Sequence, residues 1–519
     1  PVIDYKAISN PIAAHHSTST LPVVKIDHLL MLEPRVEVAT QQGASLISLL
    51  LPYSSGNKIE GDFIRLADDS LSVASLKIKA EKATFKNGKT SIAIDKGVAA
   101  SVSKIHIPLK GNNNEWNATI TDLDVTNSQA FSFDIKGNKL SLKDIKAGGI
   151  SVSASSAGDI RKLVNTNPDA WISTSSTEYV TKNSIWLFRK PTYKGDRNEL
   201  AVDSVSYHPL LSREVAIQSN PYQMDYIDFN SGNVVFSGIK AENIFKENYL
   251  SVENASISNP SVNIYRDKLP PFQFGRKKMI TEQIREIHLP LLIEKIAIKN
   301  GNVNYTERTE KTRQEGNLLL SHLNGNISNL KNTRLLNTDS LAILLSGSFL
   351  DKTPFDVSIR QSYLDSLYGF SVSLHIQPYA MEILNPLVAP LSSVKFVYGD
   401  IDKFEMEAVG NENFAHGEMK LYYHDLRIQL LKNGGLQKTN FIKKVESDLI
   451  NFFFLKNKNT SGTGLIYFKR LKDYSFFNYL NKIIFSGITT NISQRRNRKF
   501  AKIYRKNNIS TLAPGKGKR

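Results

Sequence analysis

The side chains best suited to chemistry in this chain of 519 residues are its ten histidines and its carboxylates, and their spacing assembles no reaction centre. His15 and His16 are adjacent, and His416 and His424 lie near Glu418 and Asp425, residue types that can ligate zinc. Strand alternation from Lys420 to Leu430 sends neighbouring charges to opposite faces, so this set reads as a solvated polar surface and no metal is expected. Gly88-Lys89-Thr90 has the ending of a phosphate-binding loop, but Ala83 stands where the first glycine is required and the segment reads as a hairpin. No G-x-S-x-G elbow, H-E-x-x-H helix or G-x-G-x-x-G turn after a strand occurs in a meaningful place. Without a fold that converges two carboxylates, no glycosidase-type pair can be claimed. A non-enzymatic protein without a cofactor is expected.

The recurrent feature is structural. A leucine, an apolar residue two further on, two mostly polar positions and an alternating pair appear as LSVASLKI from Leu71, LSLKDIKA from Leu140, LAVDSVSY from Leu200, LSVENASI from Leu250 and LLIEKIAI from Leu291. Alternation places Leu71 and Val73 on one sheet face, and the two-residue step before Leu76 needs a bend, a bulge or a crossing of faces. The last two copies extend in step: Ile257, Asn259, Pro260 and Val262 correspond to Ile298, Asn300, Gly301 and Val303 at a constant offset. That extension reads as strand, turn, strand, with Asn-Pro or Asn-Gly as the turn. The spacing between copies shrinks along the chain, which argues for stacked β units with variable insertions rather than a fixed-period solenoid.

Around these units the text is strand and turn. Lys86-Asn87-Gly88-Lys89 predicts a tight hairpin with a type I′ turn, and strands this close in sequence predict an antiparallel meander, because parallel neighbours need long crossovers. Short helices are expected at Asp159–Val164, Thr281–Ile287 and within Tyr379–Leu391, and a long, bulged strand over Glu418–Leu431. Ser475–Ile484 carries Phe476, Phe477, Tyr479, Leu480, Ile483 and Ile484 at helical spacing, capped by Asp473 or Ser475. The expected fold is mainly β, an elongated, curled antiparallel sheet forming a groove, with a few short helices. Its expected segments are an N-terminal β segment (1–60), a repetitive β-groove (61–430), a C-terminal β segment (431–473), and an amphipathic helix with a basic tail (474–519).

Zero cysteines exclude disulfides and thiolate metal sites. The longest apolar run, Leu46 to Tyr53, falls far short of the roughly 20 residues of a membrane-spanning helix. The net charge of +17 is concentrated: residues 474–519 hold eleven Lys and Arg and no acid, and removing those eleven from +17 leaves +6. Such a tail suits an anionic membrane surface, with Phe476, Phe477, Arg495, Arg496, Arg498, Lys499 and Lys502 as its candidate contacts. Nucleic acid is not expected as a partner, since Phe500 and Tyr504 are too few for a stacking platform.

Three places resemble the AsmA-like proteins of Gram-negative envelopes, relatives of TamB and of bridge-like lipid transfer proteins. They are the repeats with their extensions at Leu250–Tyr265 and Leu291–Tyr305, the run Leu318–Ile327 followed by Gly347 and Pro354-Phe355, and the stretch from Ile383 through Gly399 to Gly417–Leu426. The resemblance covers roughly residues 60 to 430 and rests on degenerate β patterns. It implies a periplasmic protein whose apolar groove binds acyl chains, for phospholipid transport between membranes or outer-membrane biogenesis. Phospholipid or other acyl lipids, a membrane surface and envelope proteins are the implied partners. The family's inner-membrane helix has no counterpart in these residues, so anchoring through a segment outside them is expected. Candidate groove residues are Leu71, Val73, Leu140, Leu142, Leu200, Val202, Leu250, Val252, Ile257 and Ile298. The alternative is an envelope scaffold or assembly factor with a closed β core. A long sheet with one apolar face must cover it, close it or fill it.

Overall fold

Alternating apolar and polar residues, punctuated by short turn sequences, leave most of this chain no regular option but strand. The computed structural model describes residues 23–42, 45–67, 70–87, 90–108, 116–153, 167–310, 312–432, 435–438 and 457–510. It is mainly β, 58% strand and 15% helix, with a large curled sheet and a few short helices. The chain divides into two compact units, Pro1–Ser128 with Asp144–Trp171, and Gln129–Lys143 with Ile172–Arg519. These divisions fall elsewhere than at 60, 430 and 473, because strand pairing rather than composition decides which segments are compact together.

In the first unit the strands are β1 (Val24–Leu32), β2 (Val36–Gln42), β3 (Ser45–Leu51), β4 (Lys58–Ala67), β5 (Ser70–Ala80), β6 (Ala83–Asn87), β7 (Thr90–Ile94), β8 (Gly97–Pro108) and β9 (Asn117–Thr126). β1, β4, β5, β8 and β9 pair antiparallel in that order, and β2, β3, β6 and β7 form a separate sheet. Asn87 pairs with Thr90, so the expected hairpin forms across two residues, 88 and 89, which lie outside the described set. Directly opposed residues share a face. Val24, Leu66, Leu71 and Ile107 therefore form one apolar row, and Ile26, Ile64, Val73 and Ile105 the next.

The second unit begins with β10 (Phe131–Ile135) and the start of β11 (Asn138–Gly148), where Phe133 faces Leu140 and Phe131 faces Leu142. The end of β11 and β12 (Ile150–Ser153) pair with β9. There follow β13 (Trp171–Val180), β14 (Ser184–Arg189), β15 (Thr192–Lys194), β16 (Glu199–Val202), β17 (Ser204–Pro209), helix α1 (Arg213–Ser219), β18 (Asp225–Ser231), β19 (Val234–Ser237), α2 (Ala241–Lys246), β20 (Leu250–Ser258) and β21 (Ser261–Asp267). Two paths of paired strands, β14-β17-β18-β21 and β15-β16-β19-β20, converge on the 18-residue strand β22 (Leu291–Arg308).

This convergence corrects two expectations. β20 and β21 both run parallel to β22, with Leu250 opposite Leu291, Ile257 opposite Ile298 and Val262 opposite Val303. The constant offset between the last two sequence copies is the register of a parallel ladder. Residues 268–290, which contain α3 (Ile280–Arg285), supply the long crossover that a parallel pair demands. The Asn-Pro and Asn-Gly steps also do not reverse the chain. β22 continues through Asn300-Gly301 with a shift of register, and Asn259 and Asn300 sit at φ 48° and 53°, the left-handed region that asparagine tolerates. The Nδ2 of Asn300 donates to Oδ1 of Asn259 at 2.8 Å, tying the two kinks together.

From β22 the sheet proceeds antiparallel through β23 (Glu315–Lys331), β24 (Ser340–Phe349), β25 (Thr353–Ser362) and β26 (Phe370–Ile376). After the short β27 (Tyr379–Ala380) and helix α4 (Asn385–Ser392) it continues in β28 (Val394–Gly410) and β29 (Phe414–Lys432), which also pairs with the short β30 (Gly435–Lys438). β29 is 19 residues long and holds Asp425 at φ 54°, so the long irregular strand expected there is present. The sheet ends at β31 (Gly464–Lys469), followed by α5 (Phe476–Ile492) and α6 (Gln494–Lys506). Ser475 caps α5, accepting from the Asn478 amide at 3.3 Å, and this helix runs two turns beyond the expected Ile484. α3 and α4 match their expected positions, while Asp159–Val164 lies outside the described residues.

An edge strand exposes backbone donors and acceptors that need partners. Here side chains of the two terminal helices take the place of a next strand. Ser486 Oγ accepts from Tyr467 N at 3.2 Å and donates to Tyr467 O at 3.1 Å. Thr490 Oγ1 donates to Leu465 O at 2.8 Å, and Asn497 accepts from Leu465 N at 2.9 Å and donates to Thr463 O at 3.0 Å. Where β31 stops, Asn491 accepts from Leu421 N at 3.2 Å and donates to Met419 O at 3.0 Å.

Candidate functional site

Register turns the sequence repeats of the second unit into continuous apolar rows on one sheet face. One row takes Tyr193, Leu200, Phe236, Ala255, Ile296, Ile327, Ile343, Ile359, Val372, Ala408, Gly417 and Ile466, each directly opposite the next. The adjacent row takes Val202, Val234, Ile257, Ile298, Gly325, Leu345, Val357, Leu374, Met406, Met419 and Gly464. A third, on the other path, runs Tyr179, Trp186, Tyr207, Phe229, Val262, Val303, Leu320 and Phe349. No charged residue interrupts any of the three.

The repeat's two apolar halves share this face. Leu250, Val252, Ala255 and Ile257 belong to one cluster with Leu291, Ile293 and Ile296, although alternation alone would send Val252 and Ala255 to opposite sides. The paired ladder skips Glu253 and Glu294, and both glutamates are exposed; an irregularity at the polar step absorbs the change of parity. Gly325 marks a close approach of strands: its φ is 155°, and a Cβ there would lie 2.0 Å from the Leu344 carbonyl oxygen.

Of the candidate groove residues, Leu200, Val202, Leu250, Val252 and Ile257 fall in two clusters joined through Leu200, Phe236 and Ile257. Val252 is only 1% exposed and acts as core, while Leu200, Leu250, Ile257 and Ile298 are half-buried. Ile298 stands in the row between Ile257 and Gly325. Leu71 and Val73 lie on their own rows in the first unit, and Leu140 and Leu142 pair with Phe133 and Phe131; neither set is joined to these clusters. Sequence reasoning missed Tyr193, Trp186, Tyr207, Phe229 and Phe236. Each sits in a short alternating segment, but which rows they join is visible only through register. Trp186 packs on Tyr207 with ring centroids 4.8 Å apart, and burial raises the Tyr193 hydroxyl pKa.

The two ends of this face differ in covering. From β24 to β31 a core cluster includes Phe355, Ile359, Phe370, Met406 and Met419, closed by Phe476, Tyr479 and Ile483 of α5. Phe476 is 1% exposed and meets Phe370 edge-on at 5.1 Å, which corrects its assignment as a membrane contact: the apolar side of this helix is spent on the sheet. From β14 to β23 the rows mix buried positions, Val202, Val234, Ala255 and Ile296, with half-buried ones, and the described helices that pack there are short, α1 on β18, α2 on β20, and α3 and α4 on β23.

The polar candidates stay dispersed. His424 Nδ1 lies 2.9 Å from Asp402, and that contact raises its pKa. His416 is half-buried, and burial lowers its pKa, while burial raises that of Glu418. Among the described residues no group of three or more His, Asp or Glu is arranged to hold a metal ion. A depression of about 550 Å³ spans β23 to β28, lined by Leu344, Asp356, Ser358, His375, Glu405 and Glu407, which alternate with the apolar row and so occupy the opposite face. Glu405 is held by Lys403 at 3.0 Å, and Asp356 and His375 stand 3.9 Å apart. Phe477 is 66% exposed, and Arg495, Arg496, Arg498, Lys499 and Lys502 are exposed on α6. No described helix is long and apolar enough to cross a membrane. Compared with known proteins, the chain matches no family model, no curated protein and no solved structure.

Proposed function

We propose that this is a non-enzymatic, AsmA-like envelope protein that binds lipid acyl chains on the apolar face between β14 and β23, for phospholipid transport or outer-membrane biogenesis in the periplasm. The observation that supports this reading is the set of unbroken apolar rows there on which Trp186, Tyr207, Phe229, Phe236 and Ile298 remain half-buried. An acyl chain laid along such rows loses water from each methylene, worth about 0.8 kcal/mol apiece. Rows without charge read chain surface rather than head group, so selectivity among phospholipids is low. Anchoring, in this reading, comes from a segment outside these residues.

The second reading, a scaffold with a closed β core, draws support from the other end of the face, where α5 fills the sheet with Phe476, Tyr479 and Ile483. Native mass spectrometry with lipid extraction separates the two. Wild-type protein is expected to carry phospholipid, and the double variant Ile257→Asp/Ile298→Asp, at half-buried positions, is expected to fold and lose it. Lipid-free wild-type protein that also takes up none from vesicles would replace the acyl-binding reading with the closed scaffold.

A further inference from the structure

α6 has two unlike sides. Asn497, Phe500 and Tyr504, at helical spacing, are turned onto the last strands: Tyr504 Oη accepts from Gly417 N at 2.8 Å and donates to Ile466 O at 2.6 Å, Asn497 bonds the edge of β31, and Phe500 packs on Tyr467 at 6.1 Å. The opposite half carries Arg495, Arg496, Arg498, Lys499, Lys502, Arg505 and Lys506, all exposed, and among the described residues none has an acidic partner. Thirteen residues at 1.5 Å each spread this charge along about 20 Å. A solvated face usually mixes signs; this one has a single sign and is held rigid by the hydrogen bonds beneath it.

We propose that this face docks the β31 end of the sheet on an anionic lipid bilayer by charge alone, without insertion. An interfacial helix buries its apolar side in the bilayer, whereas the apolar side of α6 is already committed to the sheet, with Tyr504 4% exposed. The same burial withdraws Tyr504, with Phe500 half-buried, from stacking on bases, which disfavours single-stranded nucleic acid as the occupant. The docking surface lies beside the strand in which the apolar rows end. Its purpose rests on the acyl-binding reading, but its measurement does not.

The test is co-sedimentation of the full chain with vesicles of phosphatidylcholine alone and of phosphatidylcholine mixed with phosphatidylglycerol, at low and high salt. Each basic residue near an anionic surface contributes about a fivefold gain in partitioning. Replacing Arg496, Arg498, Lys499 and Lys502 by glutamine should therefore weaken binding to the anionic vesicles at least about 100-fold. Lysine at Arg496 and Arg498 should restore much of that loss, and added salt should release the wild type. Near-UV circular dichroism establishes that the variants fold. Equal binding to neutral vesicles, undiminished binding of the glutamine variant, no vesicle binding at low salt, or tighter binding to duplex DNA than to anionic vesicles would each overturn the proposal. Lipid copurification is read separately, so loss of one result leaves the other standing.

Discussion

Replacing Asn491 by leucine tests the account of how the sheet ends. The amide of Asn491 is 7% exposed and serves two groups in mid-β29, where β31 stops, accepting from Leu421 N and donating to Met419 O, besides bonding Gly487 O at 2.9 Å within its own helix. Leucine has the same branching and heavy-atom count and a better helix propensity, so the helix is preserved while both backbone groups lose their partners. Each of the two buried unsatisfied groups costs about 1–3 kcal/mol, and burial of the more apolar side chain returns about 1–2 kcal/mol, leaving a net loss of up to about 5 kcal/mol, centred on about 2–3 kcal/mol. The assay is hydrogen exchange resolved at single amides, because a chain with two compact units need not unfold in one step. A loss of 2 kcal/mol corresponds to about a 30-fold fall in protection at Leu421 and its neighbours in α5, with little change at distant strands such as β20. Unchanged protection at Leu421 in a folded Asn491→Leu protein would refute the idea that helix side chains stand in for a missing strand.

Gly325→Ala should separate β23 from β24 locally, since φ 155° is all but closed to alanine and its Cβ would meet the Leu344 carbonyl oxygen; a loss of about 3 kcal/mol or more is expected, measured by chemical denaturation. Val252→Asp should abolish soluble folding whereas Ile298→Asp should not, because Val252 is 1% exposed in a cluster and Ile298 is half-buried; expression and circular dichroism distinguish them. Asp402→Asn should bring the His424 pKa down toward the ordinary 6.5, read by NMR titration. In the wild type that folded pKa lies above the unfolded one, so the pair's contribution to stability is complete below the unfolded value and is lost as pH rises through the folded one.

How much of this molecule was legible in its residues can be judged at particular places. Alternation is a local property, and it sufficed for the β class, for the hairpin that joins Asn87 to Thr90, and for the apolar character of Leu200, Leu250, Ile257 and Ile298. Helical spacing sufficed for α5, and a serine with a side-chain acceptor sufficed for its cap. The constant offset of the last two repeats was also visible, but its meaning was not, because an identical spacing serves a repeated hairpin or a parallel pair equally well until the strands are set side by side. Likewise Asn-Pro and Asn-Gly are turn sequences on their own, and only neighbouring strands on both sides keep β22 straight enough to pass through as a kink. Burial of Phe476 depends on Phe370, more than a hundred residues away in sequence, so an amphipathic pattern could not distinguish a helix that covers a sheet from one that lies on a membrane. The residues by themselves determined which side chains are apolar and how often they recur. Tertiary structure decided which of them line up and which are already covered, since register and coverage are contacts between distant segments that no local pattern encodes.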